Sequence, residues 1–334
     1  MKIAIIGNIY FDNLEWHLKY TLEKMGHNVS VFNETNLIFS KIIPKNLFFM
    51  LRRKSLKFED NIYFKLARRV IGYEPELVIV CYRHIPPRVI DFLKRTLAKS
   101  KVIHLNPDHM LTMSEERQYI LDSPYDAWFT KDHYQHEFMK NKLGFNVFYL
   151  PEAFNPDFHK PLGDFKNLKE DYDIAIVANI YPYKNIILER IHRELQPKMV
   201  IHGSIPRWLT SDFRNIMHKQ IFGREKAERF YFAKICLNIF HFAEVNSVNC
   251  RFFEIIGSGG FQICDDKPAV YEFLEKDTEI VTFQNYEDLK DKIIYYLRHF
   301  EERLEIRQKS FEKFKDRHTY EKRLEFIFKV LSFK

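Results

Sequence analysis

The chain has 334 residues, of which 46% are hydrophobic and 29% charged, so two folded domains with sizeable cores are expected. Only 10 Gly and 13 Pro occur and no stretch is of low complexity, which excludes collagen-like, repeat and disordered architectures. The formal net charge is +7, and the segment Lys41–Arg69, with nine Lys and Arg against two acids, contains that entire excess.

Apolar runs and cysteines narrow the class of protein further. No apolar run reaches about 18 residues, which excludes an ordinary membrane-spanning helix, and the opening MKIAIIGNIY is typical of a buried strand instead of a signal peptide. The four cysteines, at 81, 236, 250 and 264, include no CxxC pair. They are interpreted as reduced thiols of a cytosolic protein, and neither a zinc site nor another metal is expected.

Strand-like runs alternate with helix-length segments in the first half of the chain, a pattern that predicts a parallel α/β sheet. The predicted strands are Lys2–Ile6, Asn28–Phe32, Glu74–Tyr82, Lys101–Leu105, Ala127–Thr130 and Val147–Leu150. The predicted helices are Leu14–Met25, Asp60–Ile71 and Pro87–Ala98. The following stretch, Pro151–Asp173, has three prolines and little periodicity, so it is predicted to be a domain linker.

The second half repeats the same alternation. Its predicted strands are Asp173–Ile180, Lys198–Ser204, Lys234–Phe240, Phe261–Asp266 and Glu279–Phe283, and helices are predicted from Asn285 onward. The expected architecture is therefore two Rossmann-like domains, over residues 1–155 and 170–315. Open α/β sheets bind ligands at the carboxyl ends of their strands, so the two domains are expected to face a cleft.

The stretch NSVNCRFFEIIGSGGFQICDD, Asn246–Asp266, is the most informative part of the sequence. It predicts a loop, a helix over Cys250–Ser258, a glycine pair and a strand. Glu254 lies among apolar residues of that helix and needs a partner, since an isolated buried carboxylate is costly. Either a ribose diol fills that need, with a diphosphate at the helix N-terminus, or the segment is an ordinary helix–turn–strand unit with Glu254 paired to an arginine.

This stretch resembles the nucleotide-sugar-binding signature of GT-B glycosyltransferases, and in particular their CgeB-like branch. The resemblance extends in order through Tyr125–Pro161, DIAIVANIYPYKNIILERI, FGREKAERFYFAKICLNIF and HTYEKRLEFIF. It implies a GT-B fold in which the first domain takes the acceptor and the second takes the donor. It also implies that residues 316–334 form a closing helix that crosses back to the first domain.

The resemblance assigns donor-site roles position by position. Glu254 matches the second glutamate of the family's E-x7-E motif, which holds the donor ribose, while the first glutamate is replaced by Asn246. Either Asn246 or the nearby Glu244 is then expected to face the sugar. The backbone of Ser247, Val248 and Asn249 is expected to meet the diphosphate, and the other predicted donor contacts are Lys184, Arg251 and Gly203.

The acceptor side is expected at the carboxyl ends of strands in the first domain. Asp108 and His109 follow one buried strand, and Arg83 and His84 follow another, so each pair offers groups that bind or deprotonate an acceptor hydroxyl. Gly7 and Asn8 end the first strand and are expected to shape the floor of the site.

The predicted function is transfer of a sugar from a nucleoside diphosphate donor, linked to UDP, GDP or dTDP, to a hydroxyl of a glycan, lipid-linked or protein acceptor. Similarity to E-x7-E enzymes favours retention of anomeric configuration, and no cofactor is expected. The alternatives are a sugar-nucleotide epimerase and a non-catalytic protein that binds nucleotide or membrane. The basic and aromatic segment Lys41–Arg69 suits an anionic membrane surface, so a cytoplasmic protein at the inner face of the membrane is expected; nucleic acid is not an expected partner.

Overall fold

A computed structural model describes residues 1–34, 44, 47, 50–51, 54–82, 84–110, 120–165, 168–204 and 211–333. Arg83 and much of the basic segment, including Phe48, Phe49, Arg52 and Arg53, lie outside these described residues. The chain divides into two compact units. The first is Met1–Pro151 together with Arg323–Lys334, and the second is Glu152–Lys322.

The first unit contains a parallel sheet with six strands among its described residues, in the order β2-β1-β3-β4-β5-β6. The strands are β1 (Lys2–Ile6), β2 (Asn28–Phe32), β3 (Leu77–Cys81), β4 (Lys101–Asn106), β5 (Ala127–Thr130) and β6 (Val147–Tyr149). The helices are α1 (Leu14–Lys24), α2 (Leu56–Tyr73), α3 (Pro87–Thr96) and α4 (His133–Asn141). Every residue of β3 is buried, as expected for a central parallel strand covered on both faces.

Helix α2 begins four residues before the predicted start at Asp60. The Ser55 hydroxyl caps the helix by accepting a hydrogen bond from the Phe58 backbone N–H at 3.2 Å. Serine at this position satisfies one of the backbone donors that a helix leaves unpaired, and the apolar stripe extends back to Phe58. The predicted acidic start is therefore inside the first turns of the helix and not at its cap.

The second unit repeats the architecture, again with six parallel strands in its described part, in the order β12-β11-β10-β7-β8-β9. The strands are β7 (Tyr172–Val177), β8 (Met199–His202), β9 (Met217–His218), β10 (Ala233–Asn238), β11 (Gln262–Asp265) and β12 (Val281–Phe283). The helices are α5 (Pro182–Leu195), α6 (Ser211–Arg214), α7 (Gly223–Tyr231), α8 (Cys250–Gly257), α9 (Tyr286–Arg298) and α10 (Phe300–Phe314). A last helix, α11 (Tyr320–Val330), begins at the end of this unit, and its residues from Arg323 onward belong to the first unit. Strand β9 was not predicted, because two residues carry no periodicity.

Each sheet has a point where the direction of strand addition reverses. In the first sheet β1 and β3 are neighbours, with β2 added on one side and β4 to β6 on the other. In the second sheet β7 and β10 are neighbours, with β8 and β9 added on the side of β7 and β11 and β12 on the side of β10. Loops diverge there at the carboxyl edge and leave room for a ligand. The topology therefore predicts that the loops after β1, β3, β7 and β10 are the ones that contact ligands.

No helix in the described part of the chain is both long and apolar enough to cross a membrane.

Candidate functional site

The reversal point of the second sheet brings together four charged side chains. Lys184 lies in the first turn of α5, after β7, and is only 5% exposed. Burial, followed by the neighbouring charge of Arg251, lowers the pKa of Lys184 to about 8, against opposing contributions from Asp265 and Glu244. Arg251 thus lies close enough to lower the pKa of Lys184, and a buried lysine beside a second cation is an arrangement that a bound anion would stabilise.

The loop after β10 supplies the groups on the other side of this edge. The Ser247 hydroxyl donates to Glu244 Oε2 at 2.5 Å, and Lys267 donates to the Glu244 backbone carbonyl. Ser247 is buried, and the Val248 side chain packs in the core with Phe252 and Phe253. Only the backbone at these two positions is therefore placed to meet a ligand, whereas Glu244 and Asn246 are half-buried.

An amide network fixes the start of α8. Asn249 Oδ1 accepts from the Phe252 backbone N–H at 3.1 Å, which makes Asn249 the N-cap. Asn238 and Asn249 exchange two side-chain hydrogen bonds, at 3.1 and 3.0 Å, and Asn238 also donates to Gln262 Oε1 at 2.9 Å. The Asn249 side chain is thus committed to positioning the helix N-terminus. The sequence analysis missed Asn238, although an Asn that ends a buried strand is an unusual residue there.

Glu254 has a cationic partner that the sequence analysis did not identify. Lys226 Nζ, from α7, donates to Glu254 Oε1 at 2.8 Å, and both side chains are more than nine-tenths buried. Arg251, the arginine nearest in sequence, donates instead to the Val177 carbonyl at the end of β7. The cation that pairs with Glu254 among the described residues is therefore a lysine from another helix. Lys226 lies in the charged sequence GREKAER, in which nothing distinguishes it from a surface lysine.

Aromatic rings border Lys184. Tyr181 and Tyr183 stack with centroids 6.0 Å apart, and His241 meets Tyr181 edge-on at 4.7 Å. Phe242 is 77% exposed and Tyr181 is 41% exposed. Exposed rings next to cations suit stacking on a base or a sugar ring.

Gly203 follows β8, and its role is steric. A Cβ added at Gly203 would lie 2.1 Å from the backbone oxygen of Ala178, in the loop that follows β7. A backbone oxygen has no rotamer by which to move away, so only glycine allows this close approach. Gly203 therefore sets the path of the loop that leads to Lys184.

We expect Gly203→Ala to lower the free energy of unfolding by about 1–3 kcal/mol, the usual cost of overpacking. Urea unfolding measures the change. Gly72→Ala is the matched control, because a Cβ at Gly72 has no neighbour within 4 Å and the residue is inside α2. A Gly203→Ala protein as stable as wild type would contradict the steric role.

The reversal point of the first sheet holds Gly7 and Asn8 in a hydrogen-bonded loop. The Asn8 N–H donates to Glu15 Oε1 at 3.1 Å, and the Asn13 side chain donates to the Asn8 carbonyl at 2.7 Å. A Cβ at Gly7 would lie 2.7 Å from the Glu15 side chain, which is buried. Gly7 is thus required for the close packing of Glu15 beneath this loop.

A histidine–carboxylate pair lies after β4 and β5. His109 Nε2 is 3.6 Å from Asp132 Oδ1, both side chains are buried, and the ring stacks on Tyr134. Asp132 caps α4 by accepting from the Gln135 N–H at 3.1 Å. Asp108 is exposed and His84 half-buried. Asp132 was missed by the sequence analysis, although an Asp two residues after a buried strand and just before a helix is a detectable cap signal.

One open cavity of about 710 Å³ lies in the first unit, away from these residues. It is lined by the segments that lead into β5 and β6, and therefore lies at the amino edge of the sheet. None of the predicted site residues lines it.

Comparisons with known proteins agree with this architecture. Residues 184–329, less than half of the chain, match the model of a family described as "Glycosyl transferase-like". A search of curated protein sequences finds no match. Sucrose-phosphate synthase from Thermosynechococcus elongatus is similar in structure, with a TM-score of 0.71 at 13% identity over 99% of this chain and 98% of that one.

Two further solved structures match over 99% of this chain. Anabaena HepE, in complex with UDP and glucose, has a TM-score of 0.69 at 10% identity over 99% of each chain. A glycosyltransferase from Rickettsia africae has a TM-score of 0.66 at 12% identity over 99% of this chain and 98% of that one. The fold prediction is confirmed: the chain has the GT-B fold, with two parallel Rossmann-like sheets.

Proposed function

We propose that this protein is a glycosyltransferase that moves a sugar from a nucleoside diphosphate donor to a hydroxyl acceptor, within the CgeB-like branch. The observation that carries the proposal is the pair of cations, Lys184 and Arg251, at the reversal point beside the start of α8. The match of residues 184–329 to a glycosyl transferase-like family and the UDP complexes of structural neighbours support it. The unit Glu152–Lys322 binds the donor, and the unit that contains Met1–Pro151 binds the acceptor.

Donor binding follows from the charges and the helix end. The diphosphate lies against Lys184 and Arg251 and accepts hydrogen bonds from the backbone at 247–249, where the helix dipole is positive. Glu254 accepts hydrogen bonds from the ribose. Asn246 and Glu244 face the sugar, and the exposed rings of Tyr181 and Phe242 stack on the base or the sugar.

The reaction breaks the bond between the anomeric carbon and the diphosphate oxygen and forms a bond to the acceptor oxygen. Lys184 and Arg251 stabilise the negative charge that develops on the leaving diphosphate. His109, which lies 3.6 Å from Asp132, receives the acceptor proton if the configuration inverts. If the configuration is retained, as the E-x7-E resemblance favours, the departing phosphate receives it.

A donor panel tests this function. UDP-, GDP- and dTDP-sugars are incubated with the protein and simple glycoside acceptors, and the products are analysed by mass spectrometry and NMR. Transfer to the acceptor, or slow donor hydrolysis, supports the proposal, and the anomeric signal of the product decides between retention and inversion. Conversion of the donor into its epimer would favour an epimerase, and an unaltered, bound donor would favour a binding protein.

We also propose that the acceptor is met at an anionic membrane surface on the cytoplasmic side. Leu47, Met50 and Leu56 are 41%, 44% and 67% exposed within the basic segment Lys41–Arg69. Exposed apolar side chains among lysines and arginines can insert shallowly while each cation contributes about 1 kcal/mol at an anionic surface.

Liposome co-sedimentation measures this binding. We expect pelleting only with anionic lipid, reduced by salt, and lost when Phe48, Phe49, Arg52 and Arg53 are all replaced by Ser. Equal pelleting with neutral and anionic vesicles, or no pelleting, would contradict the membrane role.

A further inference from the structure

The loop 240–247, which follows β10 and carries Glu244, is held at its first residue by two side chains from neighbouring elements. Asp265 Oδ2, at the end of β11, accepts a hydrogen bond from the Phe240 backbone N–H at 2.5 Å. The Tyr183 hydroxyl, in the first turn of α5, donates to the Phe240 carbonyl at 3.3 Å. Both backbone groups of Phe240 are therefore bound by side chains, which belong to the two neighbours of β10 in the sheet, β11 and the β7–α5 unit.

The middle of the loop is fixed by further contacts. Lys267, two residues beyond β11, donates to the Glu244 backbone carbonyl, and the Ser247 hydroxyl donates to Glu244 Oε2 at 2.5 Å. Within the loop, the Glu244 N–H donates to the His241 carbonyl at 2.9 Å. Contacts inside the protein thus define the position of Glu244, and a site that is ordered in advance loses less entropy when a ligand binds.

The charge of Asp265 is more than its hydrogen bond to the loop requires. Burial raises the pKa of Asp265, while the Phe240 N–H and the nearby cations Lys267 and Lys184 oppose that rise. A neutral amide oxygen would accept from the same N–H without the cost of placing a carboxylate in a partly buried position. The negative charge of Asp265 therefore has a use beyond the hydrogen bond, and cations of the candidate site lie nearby.

Lys184 is the cation of the candidate site on which this charge acts. Its titratable neighbours come from three other elements: Arg251 and Cys250 from α8, Glu244 from the loop, and Asp265 from β11. Burial and Arg251 favour the neutral amine of Lys184, whereas Asp265, Glu244 and Cys250 favour its ammonium form. Asp265 therefore acts both on the loop and on the lysine.

We propose that Asp265 is a positioning residue of the donor site: its carboxylate anchors the loop 240–247 to β11 and balances the positive charge of Lys184. The inference rests on the proposed function, in which Lys184 binds the diphosphate and Glu244 faces the sugar. Loss of the anchor releases the loop that carries Glu244. Loss of the charge leaves Lys184 beside Arg251 with one acid fewer to offset the two cations.

Hydrogen exchange followed by mass spectrometry tests the anchor. In Asp265→Ala the amides of 240–247 should exchange at least about 10-fold faster than in wild type, because the Phe240 N–H loses a charged acceptor. Asp265→Asn keeps an acceptor oxygen at this position and should retain most of the protection. Asp266→Asn is the matched control, since the carboxylate of this adjacent residue bonds to other side chains, among them Lys276 at 2.9 Å, and it should leave the exchange of 240–247 unchanged.

The pH dependence of nucleotide binding tests the charge. Calorimetric titration uses UDP or GDP, whichever binds wild type more tightly, and its affinity should fall as the pH rises through about 8, where Lys184 loses its proton. In Asp265→Asn this midpoint should move to lower pH by about one unit, because Lys184 loses a neighbour that favours its ammonium form. At pH 6 the affinity of Asp265→Asn should be no lower than that of wild type, and Asp266→Asn should keep the wild-type midpoint. A merely structural role of Asp265 would instead weaken binding equally at every pH.

Unchanged exchange of 240–247 in Asp265→Ala, or an unchanged midpoint in Asp265→Asn, would overturn the proposal. Should Asp265→Ala fail to fold, the midpoint of Asp265→Asn still decides the question. Failure of wild type to bind either UDP or GDP would overturn the proposed function. The exchange measurement, which uses no nucleotide, distinguishes that failure from a failure of the anchor.

Discussion

Replacement of Glu254 by alanine should lower the free energy of unfolding of the second unit by about 3–5 kcal/mol, the usual cost of leaving one partner of a buried ion pair alone. The ammonium of Lys226, whose side chain is 8% exposed in the intact protein, would lose its 2.8 Å contact to Glu254. The double variant Lys226→Met, Glu254→Leu should recover most of that loss, because apolar residues of similar volume need no charged partner.

Urea unfolding of the wild type, Lys226→Met, Glu254→Leu and the double variant gives the coupling free energy directly. The control is Lys234→Met, which removes a lysine from a half-exposed pair and should cost about 1 kcal/mol or less. A double variant whose loss of stability equals the sum of the losses in Lys226→Met and Glu254→Leu would show that the two side chains are not coupled and would contradict the contact.

The affinity for UDP should fall as the pH rises through about 8, because burial lowers the pKa of Lys184 to about 8 and the bound diphosphate requires its ammonium form. At pH 7 most of the Lys184 side chains carry the ammonium charge. The diphosphate is already largely in its fully ionised form at this pH, since phosphate second pKa values lie near 6. Above about pH 8, each further pH unit should weaken binding by up to about tenfold, as one proton must be restored on binding.

The variant Lys184→Met shows whether the loss of UDP affinity at high pH comes from deprotonation of Lys184 or from other titrating groups. At pH 7 it should bind UDP about 10- to 100-fold more weakly than wild type, and its affinity should not change between pH 7 and 9. The free energy of unfolding should rise over the pH range in which the affinity for UDP falls. The Lys184 pKa in the folded protein is below the ordinary value of 10.5, so between pH 8 and 10.5 the unfolded chain holds more protons and wild-type stability rises with pH. A flat pH profile for wild-type UDP binding would contradict the placement of Lys184 at the diphosphate.

Much of the fold could be predicted because both sheets are parallel and buried. Strands such as IAII and LVIVC are continuous apolar runs, and their positions in the structure agree with the predicted segments to within a few residues. The start of α2 was placed late, because the cap at Ser55 is a single side chain and the acidic Glu59–Asp60 is a stronger signal. The strand β9 was missed because it has only two residues.

The candidate site was predictable in part. The motif around Glu254 and the lysine after β7 identified the edge of the second sheet where Lys184, Arg251 and Glu244 come together. The residues that hydrogen-bond to Glu254 and Asn249 in this site were not predictable. Lys226 reaches Glu254 across 28 positions of sequence, and Asn238 reaches Asn249 across 11, and contacts between residues so far apart in sequence depend on how helices pack on the sheet.

The same limit applies to the first unit. His109 was selected because it follows a buried strand, but its carboxylate partner Asp132 follows a different strand, and only the pairing of β4 with β5 brings them together. Asn249 was identified as a site residue from the sequence, but the role of its side chain was not predicted. Its amide is used to cap α8 and to bind Asn238, so its effect on a ligand is through the position of the helix.

The central claim, that the carboxyl edge of the second sheet binds a nucleoside diphosphate, is tested most directly by calorimetric titration of UDP and GDP into wild type and a Lys184→Met, Arg251→Met variant. We expect one nucleotide to bind per wild-type chain, and the double variant, although folded by circular dichroism, to bind at least about 100-fold more weakly because two charge-assisted contacts are lost. Absence of binding to either diphosphate in wild type, or equal affinity in the double variant, would contradict the claim.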